Sequence, residues 1–124
     1  MGKKIIVVDD SSTIRQQVSA TLSEAGFEVV QATDGIDGIR TIEANQDASM
    51  VICDVNMPNM NGVQMLATVK ANARYALLPI VMLTTEGDPA LVKEARSAGA
   101  KGWLAKPFKP EMLLATVRKL TGTA

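Results

Sequence analysis

The sequence predicts an α/β fold of the doubly wound (βα)5 type, with five parallel strands and five intervening helices. Five short apolar runs recur along the 124 residues, and segments with helical spacing separate them. Most of these runs are continuous instead of alternating, which is typical of strands covered on both faces of a parallel sheet. Strand followed by helix, five times over, therefore predicts one domain spanning residues 1–124, with no additional output domain.

The predicted strands are the apolar runs themselves. In chain order they are residues 5–8, 27–30, 50–53, 80–83 and 103–104. Between them, apolar residues recur three or four positions apart, as on one face of a helix. The helical sets are Ile14, Val18 and Leu22; Ile36, Ile39 and Ile42; Leu66 and Val69; Leu91, Ala95 and Ala98; and Leu113, Val117 and Leu120.

Capping and breaking residues fall at the expected ends of these helices. One of the three residues 11–13 is expected to cap the first helix, and Gly26 to end it in the left-handed conformation. Asn61 precedes the third helix, and Gly99 closes the fourth. Pro89 and Pro110 suit the first turns of the fourth and fifth helices, where a missing N–H costs nothing.

Composition excludes several classes of protein. The net charge is zero and the Lys and Arg residues are dispersed, which argues against a nucleic-acid surface. The single cysteine, Cys53, cannot form an internal disulfide, and this favours a reducing compartment. No apolar run approaches the roughly 20 residues that span a bilayer, and no signal peptide is evident. We expect a cytoplasmic domain without membrane insertion.

Polar groups follow four of the five predicted strands. Asp9 and Asp10 follow the first, Asp54 the third, Thr84 ends the fourth and Lys106 follows the fifth. The carboxyl ends of parallel strands share one edge of a sheet. In the flavodoxin-like strand order 2-1-3-4-5, which we take from that fold class, these four strands surround one cleft and the second strand lies to one side.

Three carboxylates in one cleft need a compensating charge. At ~4 Å and an effective dielectric near 20, each pair costs about 4 kcal/mol. Lys106 offsets part of this repulsion, and Mg2+ is the better match, because it takes few protein carboxylates together with water and phosphate oxygens. The alternative is that Asp9 and Asp10 only cap the first helix, although Ser11 and Ser12 are equally able to do so.

Asp54 ends an apolar strand, where a carboxylate can attack phosphorus and form an aspartyl phosphate. Phosphoryl transfer asks a protein mainly for positioning and charge stabilisation. Lys106 is expected to bind one phosphoryl oxygen and the Thr84 hydroxyl another. Each residue alone is weak evidence, but together they form a strong constellation.

Four motifs, in order, resemble the response-regulator receiver domains of two-component signalling. They are residues 7–11, 54–58 with Asn61 and Gly62, 83–85, and 106–108, where the family's Lys-Pro peptide bond is usually cis. The resemblance covers essentially the whole chain. It implies that Asp10 and Asp54 ligate Mg2+ by side chain, Asn56 by its backbone carbonyl and Asp9 through water, and that Asp54 accepts the phosphoryl group of a kinase phosphohistidine.

The resemblance also implies a switch and a set of partners. Thr84 would move toward the phosphate and Trp103, where Tyr or Phe is commoner, would rotate inward. Asn56 and Glu86 would tune self-dephosphorylation. The chain is most similar to the single-domain receivers of chemotaxis, whose signalling face would here include three residues on the fourth helix, fifth strand and fifth helix. These residues are Val92, Trp103 and Lys119.

The expected partners are a sensor histidine kinase of chemotaxis type, the flagellar motor switch protein or another target protein, and a phosphatase. The alternative is a free receiver in another phosphorelay, or a phosphate sink. An enzyme with an aspartyl intermediate typically carries an acid two residues after the nucleophile, where this chain has Asn56. We therefore expect a signalling module that catalyses only its own phosphorylation and dephosphorylation.

Overall fold

The structure, a computed structural model, describes residues 2–84 and 89–122 and has the predicted (βα)5 organisation. The elements follow one another as β1 Lys4–Val8, α1 Ser12–Glu24, β2 Glu28–Ala32, α2 Gly35–Ala44, β3 Ala48–Asp54, α3 Gly62–Lys70, β4 Ile80–Thr84, α4 Pro89–Ser97, β5 Gly102–Ala105 and α5 Pro110–Thr121. A short 3-10 turn, Ala73–Tyr75, lies between α3 and β4 and has no counterpart in the prediction.

The five strands form one parallel sheet in the order β2-β1-β3-β4-β5, so the expected flavodoxin-like order is confirmed. The register pairs Asp54 of β3 with Leu83 of β4, and Thr84 of β4 with Ala105 of β5. The carboxyl ends of β1, β3, β4 and β5 therefore meet at one edge of the sheet, and β2 lies to one side.

The sheet has an apolar core on each face, which explains the continuous runs in its strands. Along β1, Ile6 and Val8 belong to the core beneath α2 and α3, whereas Ile5 and Val7 belong to the core beneath α1 and α5. Because alternate residues point to opposite faces, a strand buried on both faces is apolar at every position.

Helix ends also agree with the sequence. Ser11 is the residue that caps α1, since its Oγ accepts a hydrogen bond from the Ile14 N–H at 3.3 Å. Gly26 and Gly99 have φ of 94° and 109°, the left-handed region that favours glycine. None of the helices in the described residues is long and apolar enough to cross a membrane.

The isoleucine spacing in α2 identifies the helix but not its packing face. Ile42 is buried, whereas Ile36 is 41% exposed. The helix instead approaches the sheet through Gly38, where a Cβ atom would meet the sulfur of Met65 at 2.7 Å and Val8 at 3.1 Å. The spacing of apolar residues in a sequence marks only large side chains. It therefore does not detect a contact such as that of Gly38, which depends on having no side chain.

Candidate functional site

Three carboxylates meet at the carboxyl edge of the sheet. Asp9 follows β1 and is 1% exposed, Asp54 is the last residue of β3 and is 5% exposed, and Asp10 lies on the exposed rim. Each offers an oxygen within 4.8 Å of the others. The predicted convergence of these three acids is thus observed, and two of them are withdrawn from solvent.

Lys106 joins the two buried acids. Its Nζ lies 2.8 Å from Asp9 Oδ2 and donates a hydrogen bond to Asp54 Oδ1 at 3.0 Å. Its backbone N–H donates to the Thr84 carbonyl at 2.8 Å, which fixes the lysine at the end of β4. The peptide bond to Pro107 is cis, as the resemblance implies.

Burial and neighbouring charges shift the pKa values of Asp54 and Lys106. The pKa of Asp54 is raised, first by its burial and then by the Asp9 carboxylate, despite the opposing hydrogen bond from Lys106. The pKa of Lys106 is also raised: burial lowers it, but the nearby Asp9 and Asp54 carboxylates outweigh that effect. Lys106 is therefore the cation that favours the ionised form of buried Asp54.

Asp9 is held at several points. Its backbone N–H donates to the Ala32 carbonyl at 3.1 Å, and its Oδ1 accepts from the Ser11 N–H at 2.9 Å. Arg15 Nη1 donates to the Asp9 carbonyl at 2.7 Å, while its Nε donates to the Gln31 side chain at 3.2 Å. Sequence reasoning missed Arg15, because an arginine on a helix normally signals only a solvated face.

The donor set fits Mg2+. Asp9 Oδ2 is fully buried and accepts no hydrogen bond of good geometry within the described residues, although Lys106 lies close to it. A buried carboxylate oxygen of this kind has capacity left for a further partner, such as a cation or a water bound to it. Together with Asp10 and Asp54, it provides hard oxygen ligands with room for water, the combination that Mg2+ prefers.

The other predicted site residues take different positions. Thr84 is buried at the end of β4, beside Lys106, and Asn56 is exposed in the loop after Asp54. Their roles as phosphate ligand and as a tuner with a metal-binding carbonyl stay predictions. Glu86 lies outside the described residues.

The predicted signalling face spans α4, β5 and α5. Trp103 is half-buried in β5 opposite Met82 and packs against the core beneath α2 and α3. Val92 is half-buried on α4, and Lys119 is exposed on α5. The surface role of these three residues stays a prediction.

We expect Asp54→Asn to stabilise the metal-free protein at neutral pH. The raised folded-state pKa means that ionising Asp54 costs stability. That cost is absent below the unfolded-state pKa of about 4 and appears as pH rises through the folded-state pKa. The expected gain in unfolding free energy is on the order of 1 kcal/mol at pH 7, measured by urea unfolding in chelator.

The matched control for this prediction is Asp47→Asn. The pKa of Asp47 is lowered, first by its hydrogen bond with Lys4, so removing that exposed carboxylate has no stabilising effect. The gain from Asp54→Asn should vanish as pH falls below about 4, where wild-type Asp54 is protonated. A variant less stable than wild type at pH 7 without metal would contradict the assigned cost.

Comparison with known proteins identifies one matching family and several similar chemotaxis proteins. Residues 5–118 match the family described as response regulator receiver domain. The chain is 40% identical over 121 residues to chemotaxis protein CheY1 of Helicobacter pylori, covering 97% of this chain and 98% of that protein. It is 39% identical to a CheY homolog of Campylobacter jejuni, covering 97% and 93%.

A solved structure agrees with these relatives. Vibrio cholerae chemotaxis protein CheY4, crystallised at low pH, superposes with a TM-score of 0.91 at 42% identity, covering 97% of this chain and 99% of that one. The family match spans nearly every element of the fold, including the three acids and Lys106. The chain therefore belongs to the response regulator receiver domain family.

Proposed function

We propose that this chain is a signalling switch that is activated when Asp54 accepts a phosphoryl group from the phosphohistidine of a sensor histidine kinase. The observation that carries the proposal is the arrangement of Lys106, which bridges buried Asp9 and Asp54 while Asp10 lies at the open rim. Asp54 as the nucleophile, Lys106 as a fixed cation, and Asp9 and Asp10 as acids that could bind a metal would thus share one cleft. This is the equipment that phosphoryl transfer needs.

In the proposed reaction, an oxygen of the Asp54 carboxylate attacks phosphorus as the bond from phosphorus to the histidine nitrogen breaks. The new oxygen–phosphorus bond converts Asp54 into an acyl phosphate, and the leaving imidazole takes up a proton. Asp10, Asp54 and the Asn56 carbonyl would hold Mg2+, which supplies charge neutralisation at the phosphoryl oxygens when bound. Lys106, whose Nζ lies 3.0 Å from Asp54 Oδ1, would pair with one phosphoryl oxygen.

We do not expect the chain to turn over other substrates. The residue two places after Asp54 is Asn56, so the chain has no general acid at the position where aspartyl-phosphate phosphatases typically carry one. We infer that the protein catalyses only its own phosphorylation and dephosphorylation. Asn56 and Glu86 are proposed to set the lifetime of the acyl phosphate by limiting access of water.

Trp103 offers a direct test of the proposed switch. It is the only tryptophan in the chain and lies half-buried in β5, next to the strand that ends in Thr84. Its fluorescence should change on addition of Mg2+ and change further with a phosphate mimic such as beryllofluoride. The same titration with Asp54→Asn is the control, and a wild-type signal that stays silent would contradict coupling through β5.

The target is proposed from the relatives. Two are named chemotaxis proteins of the CheY type, which supports a chemotaxis kinase as donor and the flagellar motor switch as target. Such partners would place the chain in the cytoplasm, and a phosphatase would complete the cycle. The alternative is a receiver in another phosphorelay, or a phosphate sink.

Phosphorylation-dependent capture discriminates between these functions. Beryllofluoride-treated protein would be immobilised and exposed to source-cell extract, with Asp54→Asn as the matched bait. Enrichment of the motor switch protein by the wild-type bait alone supports chemotaxis. Enrichment of a histidine phosphotransfer protein in its place would support the phosphorelay.

A further inference from the structure

The loop after β3, residues 55–61, is folded around one strained residue. Asn59 has φ of 67°, and it is the only non-glycine residue with positive φ in the described part of the chain. The Met60 N–H donates to the Pro58 carbonyl at 2.7 Å, so Asn59 is the centre of a γ-turn of the rare, strained kind. Such a conformation persists only where neighbouring contacts enforce it.

Two hydrogen bonds from the start of α2 fasten this turn. Asn59 Nδ2 donates to Asp34 Oδ2 at 2.8 Å, and the Gly35 N–H donates to the Met60 carbonyl at 3.1 Å. Gly35 has no room for a side chain, because a Cβ there would lie 2.5 Å from the Met60 carbonyl oxygen. The turn and the helix start are therefore in direct backbone contact.

Asp34 divides its two oxygens between two tasks. Oδ1 accepts the Asp37 N–H at 2.8 Å and so caps α2, while Oδ2 accepts the Asn59 amide. These two donors, the Asp37 N–H first, lower the pKa of Asp34. The carboxylate is therefore charged at neutral pH, and a charged acceptor makes the bond to Asn59 stronger than one between neutral groups.

The turn is closely tied to the predicted metal-binding carbonyl. Only Met57 and Pro58 separate Asn56 from Asn59, and the ring of Pro58 fixes its own φ. At the other end of the loop, the Gly62 N–H donates to the Val55 carbonyl at 2.9 Å. Few rotatable bonds therefore lie between the turn and Asn56. A displacement of the turn would move Asn56 as well.

We propose that Asp34 and Asn59 are positioning residues for the cation site, and we call their hydrogen bond the loop latch. The loop latch holds residues 55–61 in the shape that the Asn56 backbone carbonyl needs in order to reach Mg2+. This inference rests on the proposed function. It assigns to the β2–α2 connection, which carries none of the three clustered acids, a part in the chemistry at Asp54.

Two variants remove the loop latch and spare the rest of the structure. Asn59→Gly deletes the amide but tolerates the positive φ, since glycine adopts it without strain. Asp34→Ser keeps an oxygen for the α2 cap and has no second oxygen for Asn59. Each should raise the Mg2+ dissociation constant about tenfold, as loss of an outer-shell partner typically does. The measurement is calorimetric titration with MgCl2.

The double variant is the sharper measurement. If one bond is responsible, combining Asn59→Gly with Asp34→Ser should again give about a tenfold loss, because residues of one contact do not act additively. The control is Asn72→Gly, which removes a comparable turn bond to the Arg74 N–H before β4, at the amino edge of the sheet. That variant should leave the dissociation constant unchanged.

The outcomes separate the loop latch from the function on which it rests. Unchanged Mg2+ affinity in both single variants, with wild type binding normally, would overturn the loop latch alone, even if their unfolding midpoints fall. If the double variant instead lost about a hundredfold in Mg2+ affinity, the two single effects would multiply. They would then not arise from one hydrogen bond, and the loop latch would be overturned. A wild-type chain that binds no Mg2+ would overturn the proposed function together with the inference.

Discussion

Replacing Asp54 with Asn is expected to abolish phosphorylation, whether the donor is a phosphorylated kinase or a small acyl phosphate. The amide is neutral and a far weaker nucleophile than the carboxylate, while its size leaves the end of β3 intact. Loss of a nucleophile typically lowers a rate by a thousandfold or more, so we expect at least about that decrease in labelling. Intact-protein mass spectrometry after incubation with acetyl phosphate and MgCl2 measures it.

Asp47→Asn is the matched control for this experiment. Asp47 is an exposed aspartate at the opposite edge of the sheet, before β3, and its Oδ1 pairs with Lys4 at 3.0 Å. This variant should be labelled at the wild-type rate, and chelator should prevent labelling of both. An acid-labile phosphoryl group that persisted on Asp54→Asn would place the acceptor elsewhere and remove the basis of the proposed switch.

The predicted site came from a simple property of parallel sheets. Residues that follow parallel strands of one sheet share an edge, so the positions of Asp9, Asp54, Thr84 and Lys106 in the sequence placed them at one edge, and the strand order placed them around one cleft. The strand order itself came from the fold class. The distances in the cleft, in particular the simultaneous approach of Lys106 to two acids, required the structure.

What the sequence does not reveal are contacts made through the backbone. Arg15 binds the carbonyl of Asp9, and Gly38 matters because it lacks a side chain. Gly62 is similar, since a Cβ there would overlap the carbonyl oxygen of Asp54. None of these contacts leaves an apolar period or a charge pattern, so no sequence argument of the kind used for strands and helices detects them.

Lys106→Met is expected to be the most destabilising change at the site in the absence of metal. Methionine preserves the length of the side chain but leaves Asp9 and Asp54 buried without the ammonium that now lies 2.8 Å and 3.0 Å away. Removing one partner of a buried ion pair costs about 3–5 kcal/mol, because the remaining charge is uncompensated. Urea unfolding at pH 7 in chelator gives the value.

The matched control is Lys4→Met. Lys4 also pairs with two carboxylates, Glu28 at 3.4 Å and Asp47 at 3.0 Å, but those side chains are 62% and 70% exposed. Pairs with exposed carboxylates contribute little to stability, so the contrast isolates burial of the acids. Equal losses in the two lysine variants would show that Lys106 acts as an ordinary surface partner.

The pH dependence gives the sign of the Lys106 effect. Without Lys106, the pKa of Asp54 rises further, since the lysine is the group that now lowers it. A raised folded-state pKa gives stability that is present below the unfolded-state value of about 4 and is lost as pH rises. The variant should therefore approach wild type in acid and fall away toward neutrality. Saturating MgCl2 should narrow the gap at pH 7, because the cation replaces the missing charge. If the difference in unfolding free energy between the variant and wild type changed with neither pH nor Mg2+, Lys106 would contribute packing and not charge.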